Sequence, residues 1–302
     1  MCRETGICAA TTVLAISILS ALAACGQGGR DEAATDPQSQ QDADRMLREH
    51  AGDSGRASAG AAIPPERDVV AETLAYAEVD EELVYGHFVF PSDMVDPLPG
   101  LIVVHEWWGL NDGVRAMADR LAAEGYIVLA VDLFGGKTAA FPPDARELML
   151  ATLQKPQLAE ENLRQAYAFM RDTGGAPRIA SLGWCFGGAW ALNTALLFPD
   201  ELDAAVIYYG QVPADEDRLA PLNVPILGLF AENDRGIPVQ SVRTFEQVLD
   251  KLGKDHEIEI YPGVGHAFAN PSGTGYNAEV AGQAWDRTIE FLREHLTQAA
   301  AD

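Results

Sequence analysis

Gly183-Trp184-Cys185-Phe186-Gly187-Gly188 is the stretch that most narrows the folds open to this chain. An apolar run, Arg178-Ile179-Ala180-Ser181-Leu182, leads into it, and a helix-forming run from Ala189 to Leu197 leads out. Strand, sharp turn and helix therefore follow one another, with one nucleophilic side chain at the apex and a glycine two places to either side. The glycines meet a steric demand. A residue at the point of a strained turn is packed so closely by backbone that a Cβ at 183 or 187 has no room. A thiol at the apex attacks only after losing its proton, so the remaining sequence has to supply a group that controls that proton. Taken alone, the string equally fits a small buried Cys in a glycine-rich packing turn; the flanking strand and helix favour the nucleophile.

A length of 302 residues accommodates one large α/β domain and a tail, and 48% hydrophobic residues suffice for its core. The formal charge of −24 repels polyphosphates over most of the surface, which excludes nucleic acid as the expected partner. Of the four cysteines, Cys2, Cys8 and Cys25 fall near the start. Cys185 is alone in the body, so no disulfide framework can form within the domain.

Residues 1–24 read as a secretory signal: Ala9 to Ala24 is an apolar run ending in small residues, short for a membrane span. Leu22-Ala23-Ala24-Cys25, followed by Gly26, resembles the lipobox of bacterial lipoproteins. That resemblance implies cleavage before Cys25, lipidation of its thiol, and an exported protein anchored to a membrane of the cell envelope or periplasm. Residues 25–65 are poor in large apolar side chains and are expected to form a flexible tether, with at most a weak helical turn at Asp42 to Glu49. The folded domain is expected over residues 66–302.

Along that domain, Val69 to Val79 and Glu82 to Phe90 pattern as strands. Leu101 to Val104, Tyr126 to Val131, Ala204 to Tyr209 and Pro225 to Phe230 are continuous apolar runs, as strands buried on both faces should be. Helices are expected at Gly113 to Ala123, Pro143 to Leu153 and Pro156 to Asp172, the last carrying Leu158, Leu163, Ala166, Phe169 and Met170 at helical spacing. Alternating strands and helices predict a doubly wound, mostly parallel sheet flanked by helices.

Chemistry in such sheets collects beyond the carboxyl ends of the strands. Glu106 follows the Leu101 run in His105-Glu106-Trp107-Trp108-Gly109. A zinc-protease motif would need His at 109, so no metal is expected. Between an apolar strand and two Trp, Glu106 should bind its proton more tightly than an exposed carboxylate; the plainer alternative is a surface helix cap. Asp234 follows the Pro225 run, and His266 follows a strand at Glu257 to Tyr261. Each alone also fits a turn residue or a satisfied loop histidine. Together they give nucleophile, acid and histidine in the order used by α/β-hydrolases.

On these motifs, with Pro238 and Gly265-His266-Ala267-Phe268, residues 67 to 297 resemble the dienelactone hydrolase family. The resemblance implies an α/β-hydrolase fold, no cofactor, and a Cys185-His266-Asp234 triad hydrolysing a carboxylic ester or lactone through a thioester. It implies a resting neutral thiol whose proton passes to Glu106, and an oxyanion hole from the backbone N–H groups of Phe186 and Trp107. The family holds its substrate carboxylate with arginines, one of them four places after the triad His. Here that place is Asn270, and Arg146 lies in the region of the other. An uncharged or hydrophobic substrate is therefore expected, in a pocket drawn from Trp108, Trp184, Phe134, Phe268 and Arg146. The alternatives are a thioesterase or acyl-transfer enzyme using the same site, and a non-catalytic envelope-binding lipoprotein. A monomer is expected.

Overall fold

The computed structural model describes residues 37–58, 61 and 64–297. The predicted signal segment, Cys25 and the first part of the predicted tether lie outside the described residues. Among the described residues no helix is long and apolar enough to cross a membrane.

In chain order the elements are α1 (Pro37–Glu49), β1 (Val69–Val79), β2 (Glu82–Pro91), β3 (Gly100–Val104), α2 (Asp112–Ala123), β4 (Ile127–Val131), α3 (Pro142–Gln154) and α4 (Pro156–Asp172). They continue as β5 (Ile179–Trp184), α5 (Phe186–Leu197), β6 (Ala204–Tyr208), α6 (Glu216–Leu219), β7 (Ile226–Ala231), α7 (Val239–Leu252), β8 (His256–Tyr261) and α8 (Ala278–Leu296). The strands form one eight-stranded sheet in the order β1-β2-β4-β3-β5-β6-β7-β8. The β1–β2 and β2–β4 pairs are antiparallel and every other pair is parallel. This is the mostly parallel, helix-flanked sheet that the alternation of strands and helices predicts, in the α/β-hydrolase form that the family resemblance implies.

Every residue of β3, β4, β5, β6 and β7 is buried, the reason their sequences run apolar without alternating. The chain leaves β3 for β4 on one side, then returns past it to β5 on the other. Strand order thus reverses at β3, which opens a crevice beyond the carboxyl ends of β3 and β5. Glu106 and Cys185 follow these two strands.

Residues 37–58 depart from the expected tether. Pro37–Glu49 is a full helix that buries Ala43 and Met46, with Asp44 paired to Arg146 of α3 at 2.7 Å. Beyond it the chain crosses the loops at the carboxyl ends of the strands. Gly55 O accepts from Asn111 Nδ2 at 2.8 Å, and the Ser58 hydroxyl donates to Pro271 O at 2.9 Å. The composition argument weighs apolar area alone, whereas this segment is held largely by polar contacts. Arg146, expected in the substrate pocket, instead helps to hold α1.

Candidate active site

Cys185 sits between the end of β5 and the first residue of α5 with φ 55° and ψ −118°, a strained conformation for a residue with a side chain. Its N–H donates to Tyr208 O at 2.9 Å, and its own carbonyl accepts from Gly188 N at 3.0 Å. A Cβ on Gly183 would run into the Gly187 carbonyl, and one on Gly187 into that of Val104. Glycine is therefore imposed at both places by backbone on backbone. Phe186 opens α5, so its N–H is one of the four that the helix cannot satisfy, and Trp107 lies in the turn just after β3.

His266, after β8, places Nδ1 2.6 Å from Asp234 Oδ2. Asp234 Oδ1 accepts the N–H groups of Gly236 at 2.8 Å and Ile237 at 2.7 Å, which fixes the carboxylate and through it the ring. A carboxylate only accepts, so Nδ1 carries a proton and Nε2 is left to face the thiol. The donor atoms of His266, Cys185 and His50 lie within 4.8 Å of one another, all buried. Burial alone would lower the proton affinity of His266, but Asp234 and the sulfur raise it well above the usual imidazole value. Burial pushes the Cys185 thiol up, yet His266 and then His50 outweigh it and bring it down to about 6.

Glu106 is 6% exposed. Burial, reinforced by the negative charge on sulfur, pushes its carboxyl up to about 7, in the direction its apolar surroundings predict. Oε2 accepts from Asn270 Nδ2 at 2.6 Å, so the residue standing where the family resemblance calls for an arginine positions the acid instead. His105 is structural: its Nδ1 donates to Glu106 O at 2.6 Å and its Nε2 accepts from Leu133 N at 3.1 Å.

Cys185, His266, Asp234 and Glu106 thus meet in one place. The expected pocket residues do not all follow. Trp108 and Trp184 line a cavity of about 30 Å³ together with Glu106, Tyr209 and Asn270. Phe268 is fully buried against Tyr209 and Tyr261, and Phe134 packs on His105 and Phe186. Both are core. A second cavity, of about 340 Å³, reaches Cys185 and Phe186 and is roofed by Met46 of α1. Four buried polar atoms without a hydrogen-bond partner gather in this region: Glu106 Oε1, Trp107 Nε1, Tyr209 OH and His266 Nε2. A buried polar group left unpaired costs about 1–3 kcal/mol, so the site carries unmet capacity for a polar ligand.

His50 has no counterpart among the predicted residues. It follows α1, is 1% exposed, and places Nε2 3.9 Å from Cys185 Sγ. Its sequence signal is only a His and an Asp three apart in a polar stretch. The 3.9 Å is within hydrogen-bond reach of sulfur.

A strained cysteine between strand and helix, facing an Asp-held imidazole on a mostly parallel sheet, is the arrangement of an α/β-hydrolase. The sequence profile of the Dienelactone hydrolase family matches residues 85–296. A Saccharolobus solfataricus protein provisionally named carboxymethylenebutenolidase is 32% identical over 236 residues, spanning 66% of this chain and 90% of its own. Protein usf of Aquifex pyrophilus is 32% identical over 206 residues, 66% of this chain and 89% of its own. Among solved structures, one provisionally named dienelactone hydrolase, from Klebsiella pneumoniae, superposes with a TM-score of 0.68 at 26% identity, covering 77% of this chain and 100% of that one. A dienelactone hydrolase-like phosphotriesterase from metagenomic libraries, with a TM-score of 0.68 at 20% identity over 75% of this chain and 98% of its own, shares the fold. The chain belongs to the dienelactone hydrolase family and is a hydrolase.

Proposed function

We propose that this hydrolase cleaves an uncharged carboxylic ester or lactone with Cys185 as nucleophile, through a thioester acyl-enzyme. The observation that carries the reading is the gathering of unpartnered polar atoms, His266 Nε2 and Glu106 Oε1 among them, around a buried sulfur at the apex of the elbow. As the thiol proton passes to a base beside the sulfur, attack forms the C–S bond and moves the carbonyl π pair to oxygen, where the N–H groups of Phe186 and Trp107 would receive it. The pair returns to re-form the carbonyl, and the leaving oxygen takes that proton as its bond to the acyl carbon breaks. Water then gives a proton to His266 Nε2 and attacks the thioester carbon, the C–S bond breaks with its pair on sulfur, and the acid leaves, while Asp234 keeps the tautomer that leaves Nε2 free.

The cavity of about 340 Å³ suits the acyl group, because Met46, Met149, Phe186, Trp190, Val212 and Ile237 contribute to its wall. The cation among its described lining residues, Arg218, donates to Asn193 at 2.6 Å, and Asp42 also lines the space, so a substrate carboxylate is poorly matched. Assays with p-nitrophenyl esters and lactones, neutral and carboxylated, should show turnover of the neutral compounds. Cys185→Ala should abolish it. Undiminished turnover in that variant would rule the mechanism out, and faster turnover of carboxylated esters would rule out the substrate class. We further propose, from the residues around Cys25, that the protein is exported and held at a membrane by a lipid on that thiol.

A further inference from the structure

The sulfur of Cys185 has a second imidazole beside it. His50 Nε2 is 3.9 Å from Sγ, and His50 Nδ1 is 2.8 Å from Asp53 Oδ2. Asp53 is held in turn by Thr274, whose N–H donates to Oδ1 at 2.8 Å and whose hydroxyl donates to the same oxygen at 2.6 Å. The carboxylate fixes the proton on Nδ1, so Nε2 presents either a lone pair or a second proton to the sulfur. This repeats the relation of His266 to Asp234. The ring has no slack: its centroid lies 4.7 Å from that of Trp107 and 5.1 Å from that of His266.

The charged and titratable groups around the sulfur are His50 after α1, backed by Asp53, Glu106 after β3, Tyr209 after β6, and His266 after β8, backed by Asp234. Glu106, to which the family resemblance assigns the thiol proton, has Oε2 committed to Asn270 and Oε1 without a hydrogen-bond partner, whereas His50 Nε2 lies within hydrogen-bond distance of the sulfur. His50 precedes residues 85–296, so the family match does not account for it.

We propose that His50, oriented by Asp53, is a second catalytic imidazole that takes the proton of Cys185. The S–H bond breaks, its electron pair stays on sulfur, and the proton moves to Nε2, leaving a thiolate and an imidazolium at rest. The proton remains in the site until the leaving oxygen accepts it, which returns His50 to neutral and leaves His266 for the hydrolytic water. Burial opposes a charge on His50, but Asp53 and then Cys185 raise its proton affinity, in keeping with this transfer. The proposal rests on Cys185 being the nucleophile and deepens that reading.

Thiolate absorbance of the full chain, titrated with Cys185→Ser subtracted to isolate this sulfur, tests it. His50→Gln should raise the midpoint by about one pH unit or more, equivalent to a tenfold change in the ionisation constant. Glu106→Gln should leave the midpoint unchanged or lower it. An unshifted midpoint in His50→Gln, or a raised one in Glu106→Gln, would overturn the assignment. Histidine NMR needs no change at His50: comparing wild type with Cys185→Ser, loss of the sulfur anion should lower the His50 midpoint, and an unmoved midpoint would also overturn it. Retained ester turnover in Cys185→Ala would instead defeat the nucleophile reading itself, so the two failures are distinguishable.

Discussion

Glu106→Gln should stabilise the protein in alkali, although it alters a residue at the centre of the site. Glu106 is buried, with one oxygen paired to Asn270 and the other unpartnered. Its carboxyl is raised from 4.5 to about 7, chiefly by burial. A folded-state value above the unfolded one means that the native state holds a proton the unfolded chain has already released. The resulting stability is fully present below the unfolded value and is lost as pH rises through the folded one. A rise of about 2.5 units at about 1.4 kcal/mol each makes the loss by pH 8 about 3 kcal/mol. Gln is neutral at every pH and keeps an oxygen for Asn270. The two proteins should therefore be nearly equal in stability at pH 4, with the variant ahead by about 3 kcal/mol at pH 8. At roughly 2–4 °C per kcal/mol for a domain of this size, that is about 6–12 °C in Tm. Urea unfolding at both pH values measures it. A difference that does not change between pH 4 and pH 8, or a variant less stable at pH 8, would show that Glu106 is not held in a desolvated place.

Burial pushes Asp53 up, but its bonds from His50 and Thr274 prevail and lower it from 3.8 to about 2. Its contribution is thus present above the unfolded value and lost as pH falls through the folded one, so the segment from Met46 to Ser58 should loosen first on acidification. At neutral pH, Asp53→Asn should raise amide exchange there by about tenfold or more, the scale of losing hydrogen bonds to a charged group, without affecting β3; equal protection in both proteins would refute the anchoring role. Labelled palmitate should enter the wild type in cells and fail to enter Cys25→Ala; equal labelling would refute lipidation at that residue.

The sheet was legible because its central strands are buried on both faces, a condition that leaves continuous apolar runs such as Leu101 to Val104 and Ile226 to Phe230. Cys185 was legible for a different reason: only glycine fits where backbone packs on backbone, so Gly183 and Gly187 mark the elbow. Asp234 and His266 could be placed because both follow parallel strands and so emerge at the same end of the sheet. The aromatic residues were harder to assign. Phe134 and Phe268 lie close to the site in sequence, but nothing in sequence tells whether such a ring turns toward the cavity or into the core, and both turn inward. Asn270 could be seen as a missing arginine, yet its contact with Glu106 spans 164 positions. His50 is 135 positions from Cys185 and lies in a stretch whose composition promises no packing.

The failure of that composition argument bears on how the site works. Residues 50–58 are held by contacts that each need one polar partner in one place, among them Asn111, Ser272 and Thr274 on the strand-end loops. Such contacts add little to a count of buried apolar area but fix position sharply, and position is what a proton acceptor for a thiol requires. The helix that leads into this segment, α1, sets Met46 Sδ 3.8 Å from the sulfur, and Cys185 is left 3% exposed. A thiolate at rest attacks carbonyl carbon readily, and peroxide for the same reason, so ionising the sulfur and covering it are paired requirements. One stretch, α1 with the turn after it, meets both, since it carries His50 to the sulfur and roofs it with Met46. A chain cut at residue 65, the boundary that composition suggests, would therefore lose the acceptor, the roof and one wall of the acyl cavity together.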